Sequence, residues 1–192
     1  MKNMYIIAGC NGAGKTTAAY NMLPEMLQCK EFVNVDEIAR GISPFTPETV
    51  TQQAGRIMSL RINDLIEKNE TFAVETTLSA RSYKEKVLAA QAKDYCVNLV
   101  FFWLNTVELA KERVKIRVTE GGHDVPENII ERRYQRGLFN LFNYFLPICD
   151  NVMVFDNSDK IPQLVMGKIK NKEIEIYNQH TYNQIQKSYV RA

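Results

Sequence analysis

Near the amino terminus the chain reads Gly9-Cys10-Asn11-Gly12-Ala13-Gly14-Lys15-Thr16, which meets G-x-x-x-x-G-K-[ST] at every fixed position. Glycines at 9, 12 and 14 let a loop close tightly enough for successive backbone N–H groups to point at one anion. A helix opening at Lys15 adds unpaired amides and the positive end of its dipole. In such a cradle the Lys15 ammonium meets the β- and γ-phosphates of a nucleoside triphosphate, and the Thr16 hydroxyl is placed to coordinate Mg²⁺. Thr17 is assigned to the α-phosphate, while Asn11 and Ala13 line the loop between the glycines. This combination points to binding of ATP with Mg²⁺.

Polar residues also follow two other short apolar runs. Asp36 comes directly after residues 31–35, and Glu75-Thr76-Thr77 after residues 71–74. In open parallel sheets ligands collect outside the carboxyl ends of the strands, so these residues would face the same rim as the glycine loop. Asp36 is a candidate to orient an acceptor hydroxyl and take its proton; its structural alternative is to cap a helix beginning at Glu37. Glu75 and Thr76 are candidates to bind the acceptor, and Glu75 also to assist Mg²⁺ through water. No strand ends in an apolar run plus Asp of the usual metal-binding kind, so the division of labour between Asp36 and Glu75 stays open at this level.

Basic residues gather further on: Arg113 and Arg117, then Gly121-Gly122-His123-Asp124-Val125-Pro126, then Arg132, Arg133 and Arg136. Phosphoryl transfer spreads negative charge over equatorial oxygens and is catalysed mainly by positioning and electrostatic stabilisation. A helical lid over about residues 113–137 would supply that charge and exclude water, with the glycine pair as its hinge. Arg117 and Arg133 are the leading candidates, Arg113 and Arg136 the next. The structural alternative pairs these arginines with Glu112, Glu127 and Glu131. His123 reads as a hinge or cap more than as a proton shuttle.

The elements needed to position these groups follow from the hydrophobic pattern. Apolar runs at residues 4–8, 31–35, 71–74, 96–104 and 151–155 read as strands. Helical periodicity occupies about 15–27, 47–69, 82–93, 107–118 and 126–144. Strand and helix alternate, which predicts an α/β, three-layer fold: a five-stranded parallel sheet with helices on both faces. Residues 166–177 read as a small β-hairpin turning near Asn171-Lys172, inside a carboxyl-terminal extension (158–192) closed by a short helix. With 192 residues, 45% of them hydrophobic, the chain suits a single domain.

The formal net charge of +2 gives no strong field for a polynucleotide or an anionic membrane. Four scattered cysteines and two histidines offer no metal-ligand spacing. No uninterrupted apolar stretch reaches the ~20 residues of a membrane span, and no leader sequence precedes the first strand, so a cytoplasmic location is expected.

Taken together, residues 9–17, Asn34-Val35-Asp36-Glu37-Ile38-Ala39, Glu75-Thr76-Thr77, the run from Gly121 to Pro126 and Arg132-Arg133-Tyr134 resemble the zeta-toxin domain, a group of P-loop kinases. The resemblance covers about residues 1–160. It implies transfer of the ATP γ-phosphate to the 3′-hydroxyl of UDP-N-acetylglucosamine, and an antitoxin protein that blocks the nucleotide site. It also implies Lys15 as the phosphate-binding lysine, Asp36 as the base, Glu75 as the acidic residue after the third strand, and Arg117 and Arg133 as lid arginines. The rival readings are a polynucleotide or nucleoside kinase and a non-catalytic nucleotide-gated regulator. A GTPase is disfavoured because Asn157-Ser158-Asp159-Lys160 does not supply N-K-x-D.

Overall fold

In the computed structural model, which describes residues 2–122 and 124–190, the apolar runs become strands of one sheet. Strand β1 (Lys2–Gly9) lies between β3 (Phe72–Thr76) and β4 (Tyr95–Trp103), with β2 (Glu31–Val33) beyond β3 and β5 (Asn151–Asp156) beyond β4. All of these neighbours pair in parallel. Strand β3 is buried along its length, and so is the second half of β4, as befits central strands covered on both faces. Among the described residues, no helix is long and apolar enough to cross a membrane.

The sheet does not stop at five strands. Strand β6 (Gln163–Lys168) pairs antiparallel with β5, and β7 (Glu175–Ile176) antiparallel with β6, giving the order β2-β3-β1-β4-β5-β6-β7. The predicted hairpin exists, but it starts earlier and extends the main sheet. Residues 157–162 are too few for the crossover of about a dozen residues that a parallel neighbour needs. Val165 and Met166 are fully buried, so the added strand carries part of the core.

Several helices differ in extent from the reading above, each for a local reason. Helix α1 (Lys15–Met22) ends five residues early, where Pro24 disfavours helix at the residue before it. A separate helix α2 (Val35–Ile42) starts on an Asn34 cap and carries Asp36 and Glu37 in its first turn. The long helix at 47–69 divides into a 3₁₀ turn (Pro47–Val50) and α3 (Thr51–Glu67). Helices α4 (Tyr83–Gln91), α5 (Val107–Thr119) and α6 (Glu127–Asn140) follow. Helix α6 continues through a π turn (Leu141–Phe145) into α7 (Leu146–Ile148), where Pro147 cannot donate a regular helical hydrogen bond. The terminal helix is α8 (Gln179–Val190). His123, read as a hinge or cap, lies outside the described residues.

Asp150 joins several of these elements at the end of the sheet away from the glycine loop. Its buried carboxylate accepts the Val97 N–H at 2.9 Å and the Gln91 amide at 3.2 Å, and lies 2.8 Å from the Lys170 ammonium. Burial pushes this carboxyl up, but Lys170 and the two N–H donors outweigh it and hold it below its usual value. Its folded value being depressed, it contributes stability that is present above about pH 4 and is lost as pH falls through the folded value. Asp150→Ala should therefore cost about 1–3 kcal/mol in urea denaturation at pH 7. The loss should shrink as the pH of the titration is lowered below about 4; an equal loss at pH 7 and pH 2.5 would contradict this assignment.

Candidate functional site

Register brings the candidate residues to one rim. Across β1 and β3, Ile7 lies opposite Glu75 and Ala8 opposite Thr76, so the chain enters the glycine loop where β3 presents its carboxylate. Gly12 and Gly14 both have φ of 79°, the left-handed region. A Cβ on Gly12 would meet the Ala110 carbonyl at 2.7 Å, which fixes the loop tightly against α5. Asn11, Ala13 and Lys15 are buried, Thr16 is half-buried, and Thr17 is exposed. Burial pushes the Cys10 thiol up to about 11, so it stays protonated inside the loop.

Glu75 is the hub of this rim. One of its oxygens accepts the Thr16 hydroxyl at 2.8 Å and the Asn34 amide at 2.9 Å; the other lies 3.7 Å from the Lys15 ammonium. Lys15 also donates to the Cys10 carbonyl at 2.9 Å. Burial raises the Glu75 carboxyl above its usual value, opposed first by Lys15 and then by the Thr16 hydrogen bond and Arg117; Asp36 raises it further. A buried carboxylate with this many partners is a positioning device as much as a charge.

Asn34 carries that order to α2. Its side-chain oxygen accepts the Asp36 N–H at 2.8 Å while its amide donates to Glu75. The capping role considered for Asp36 thus belongs to Asn34, and the Asp36 carboxylate is not spent on it. Sequence reasoning passed over Asn34, although an Asn just before Val35-Asp36-Glu37 is a helix-start signature.

Asp36, Glu75, Lys15, Asn34 and Arg133 line a cavity of about 310 Å³ between the sheet rim, α3 and α4. Met58, Ile62 and Tyr83 form its apolar side, and Ser59, Thr77 and Ser82 add hydroxyls. The Tyr83 hydroxyl donates to the Met58 sulfur at 3.3 Å, and burial pushes it up to about 12, so this group serves as a neutral wall. The Thr76 hydroxyl accepts the Leu78 N–H at 3.0 Å, holding the turn after β3, where Leu78 has φ of 57°. The cavity is of a size and composition suited to a small molecule.

The arginines divide. Arg133 reaches the rim, donating to the Asn11 side chain at 3.1 Å; burial lowers its pKa and the Asp36 carboxylate counters this. Arg117 acts electrostatically on Glu75. Arg113 instead donates to the carbonyls of Asn157 and Ser158, and Arg132 and Arg136 are exposed. Lysines make ion pairs between α5 and α6, Lys111 with Glu127 and Glu131 and Lys115 with Glu127. Gly121 and Gly122 donate to the carbonyls of Val118 and Arg117 at 3.0 and 2.8 Å, so the glycine pair terminates α5 in a Schellman motif. Gly122 has no room for a Cβ, which would lie 2.5 Å from Cγ of Arg117.

A family model described as Zeta toxin matches residues 1–164. An uncharacterized protein of Haemophilus influenzae is 32% identical over 136 residues, 70% of this chain and 94% of that protein. Among solved structures, the AvrRxo1-ORF1:-ORF2 complex with ATP superposes with a TM-score of 0.78 at 17% identity, over 96% of this chain. This chain spans only 63% of the length of that one. The toxin of the PezAT chromosomal toxin-antitoxin system of Streptococcus pneumoniae gives a TM-score of 0.64 at 16% identity, over 99% of this chain and 86% of that one. These structural likenesses establish the α/β fold.

The Asn34 bridge makes a two-part prediction. Asn34→Ala should cost about 1 kcal/mol of stability through the lost cap, read by urea denaturation. Because it also frees Glu75 and α2 from one another, it should reduce any turnover at this rim by more than the reduction in nucleotide affinity; equal losses in both would mean that Asn34 only stabilises the fold.

Proposed function

Since this chain belongs to the zeta toxin family, we propose that it is an ATP-dependent phosphotransferase that moves the γ-phosphate of ATP to a hydroxyl of a small acceptor held in the Asp36 cavity. The observation that carries this reading is the Glu75 hub, which ties Lys15 and Thr16 of the glycine loop to Asn34 at the start of α2. Donor and acceptor would then meet at one edge of the cavity, pre-positioned by hydrogen bonds instead of by diffusion.

In this reading the amides of residues 9–16 hold the triphosphate, Thr17 reaches the α-phosphate, and Lys15 exchanges its bonds to Cys10 and Glu75 for the β- and γ-phosphates. The Thr16 hydroxyl and the Glu75 carboxylate, hard oxygen donors 2.8 Å apart, fit a Mg²⁺ ion, which when bound neutralises phosphate charge. Asp36 orients the acceptor hydroxyl and takes its proton as the oxygen bonds to the γ-phosphorus and the bond to the β–γ bridging oxygen breaks. Arg133, already on the loop through Asn11, and Arg117 stabilise charge on the transferred group. Glu75 and Thr76 complete the acceptor side, and residues 113–137 act as the lid. The acceptor implied by the family resemblance is UDP-N-acetylglucosamine, with an antitoxin as protein partner; the PezAT neighbour is itself part of a toxin-antitoxin system. A cytoplasmic setting accords with four free cysteines.

Release of ADP measured against UDP-sugars, nucleosides and oligonucleotides tests the reading. Release should depend on an acceptor, with a UDP-sugar the most effective. Stimulation by nucleic acid alone would make the protein a polynucleotide kinase, and slow hydrolysis indifferent to every acceptor would make it a nucleotide-gated regulator. Lys15→Ala should abolish turnover. Asp36→Asn should lower it about 10²–10⁴-fold with ATP affinity nearly unchanged; a rate within a few-fold of the parent would remove Asp36 from the role of base. Arg117→Ala and Arg133→Ala should lower the rate by more than they lower ATP affinity, and unchanged rates would return both to structural roles.

A further inference from the structure

A loop that turns its N–H groups inward on an anion must turn carbonyls outward, and buried outward carbonyls need donors. On the side of the glycine loop away from the Asp36 cavity, the Asn157 amide supplies one, donating to the Ala13 carbonyl at 2.8 Å. The same nitrogen would lie 2.6 Å from a Cβ placed on Gly14, so Asn157 sits directly against the N-cap residue of α1.

Asn157 is itself fixed on every side. Its N–H donates to the Trp103 carbonyl at 2.9 Å, which continues the β4–β5 pairing past the last strand residue. Its carbonyl and that of Ser158 accept the two arms of the Arg113 guanidinium at 2.8 and 2.7 Å. Ser158 is held in turn by the Asp156 carboxylate, and its hydroxyl accepts the Asn105 N–H at 2.8 Å. Arg113 closes the circuit, because a Cβ on Gly12 would come within 3.2 Å of Cβ of Arg113. A sheet strand, a helix and the loop thus converge on one residue, whose side-chain amide lies 144 residues away in the chain from the carbonyl it holds.

We infer that Asn157, backed by Arg113, is a positioning residue of the phosphate loop: it holds the loop in its anion-binding shape before nucleotide arrives, and so sets the affinity for MgATP. The inference rests on the proposed ATP site and adds to it a residue outside the glycine motif. A preformed loop spends less of its binding energy on ordering itself. Asn157→Ala leaves the Ala13 carbonyl without this donor, and Asn157→Asp sets an acceptor against it at unchanged size.

Isothermal titration with MgATP, on the whole chain, is the test. Asn157→Ala should raise the dissociation constant about tenfold, Asn157→Asp by more, and Arg113→Lys by less, since an ammonium cannot bridge both carbonyls in the same fork. KM for ATP should rise by a similar factor, while KM for the acceptor stays within twofold of the parent, a split that general loosening of the fold would not produce. Affinities within twofold of the parent overturn the inference and leave the proposed function standing. Loss of the folded circular dichroism spectrum in Asn157→Ala overturns it too, because Asn157 would then be holding the sheet, not the loop. If the parent protein itself shows no magnesium-dependent affinity for ATP, the proposed function falls, and this inference with it.

Discussion

One buried carboxylate organises the rim of this sheet. Glu75 stands at the end of a strand buried on both faces, where an unpaired charge would cost several kcal/mol. It is tolerated because a hydroxyl, an amide and an ammonium converge on it from two segments, the start of α1 and the cap of α2. The dependence runs both ways. Remove the carboxylate and Lys15 becomes the buried uncompensated charge, Thr16 loses its acceptor, and Asn34 is left holding α2 alone. The geometry of the glycine loop and of Asp36 are therefore coupled through one side chain that belongs to neither.

The surroundings of the loop are polarised in the same economical way. Toward the cavity lie acidic and hydroxyl groups with Arg133 reaching across them; on the opposite flank lie neutral amides, the Asp156 carboxylate occupied by Ser158, and the guanidinium of Arg113 turned onto carbonyls. Lysines on α5 satisfy the acidic residues of α6, which leaves Arg133 directed at the loop. Burial meanwhile suppresses ionisation of the groups not needed as charges, the Cys10 thiol and the Tyr83 hydroxyl. Reactivity is confined to a few side chains by making their neighbours electrically quiet.

Much of this was legible in the sequence because it depends on short-range order. An apolar run followed at once by glycine or by a carboxylate marks a strand end, and three such ends place Gly9, Asp36 and Glu75 on one rim whatever the details of packing. What escaped was set by long-range partners or by a single neglected residue. Pro24 shortens α1, and Asn34 is a cap whose second partner lies 41 residues away. The extra strand pair at the sheet edge follows from the brevity of residues 157–162, a length that could have been counted. The glycine pair at 121–122, read as a hinge, also ends α5 through hydrogen bonds to the Val118 and Arg117 carbonyls, which nothing in its composition marks. Asn157 was weighed only as part of a failed guanine motif, since nothing local marks an amide that serves a loop 144 residues earlier.

The π turn at Leu141–Phe145 has a consequence for how this fold tolerates changes in chain length. Upstream of it, Asn140 faces the turn after β3, where its amide meets the Leu78 carbonyl at 2.8 Å; at its end, Phe145 is fully buried in the core. A wider turn of this kind fits one residue more into the helix than a regular path between those anchor points requires. That surplus residue is a slack link: losing it would tighten the turn to ordinary helical pitch without re-aiming either anchor. Among relatives of this chain, single-residue gaps between Glu127 and Ile148 should collect at the π turn and avoid the stretch from Arg133 to Asn140.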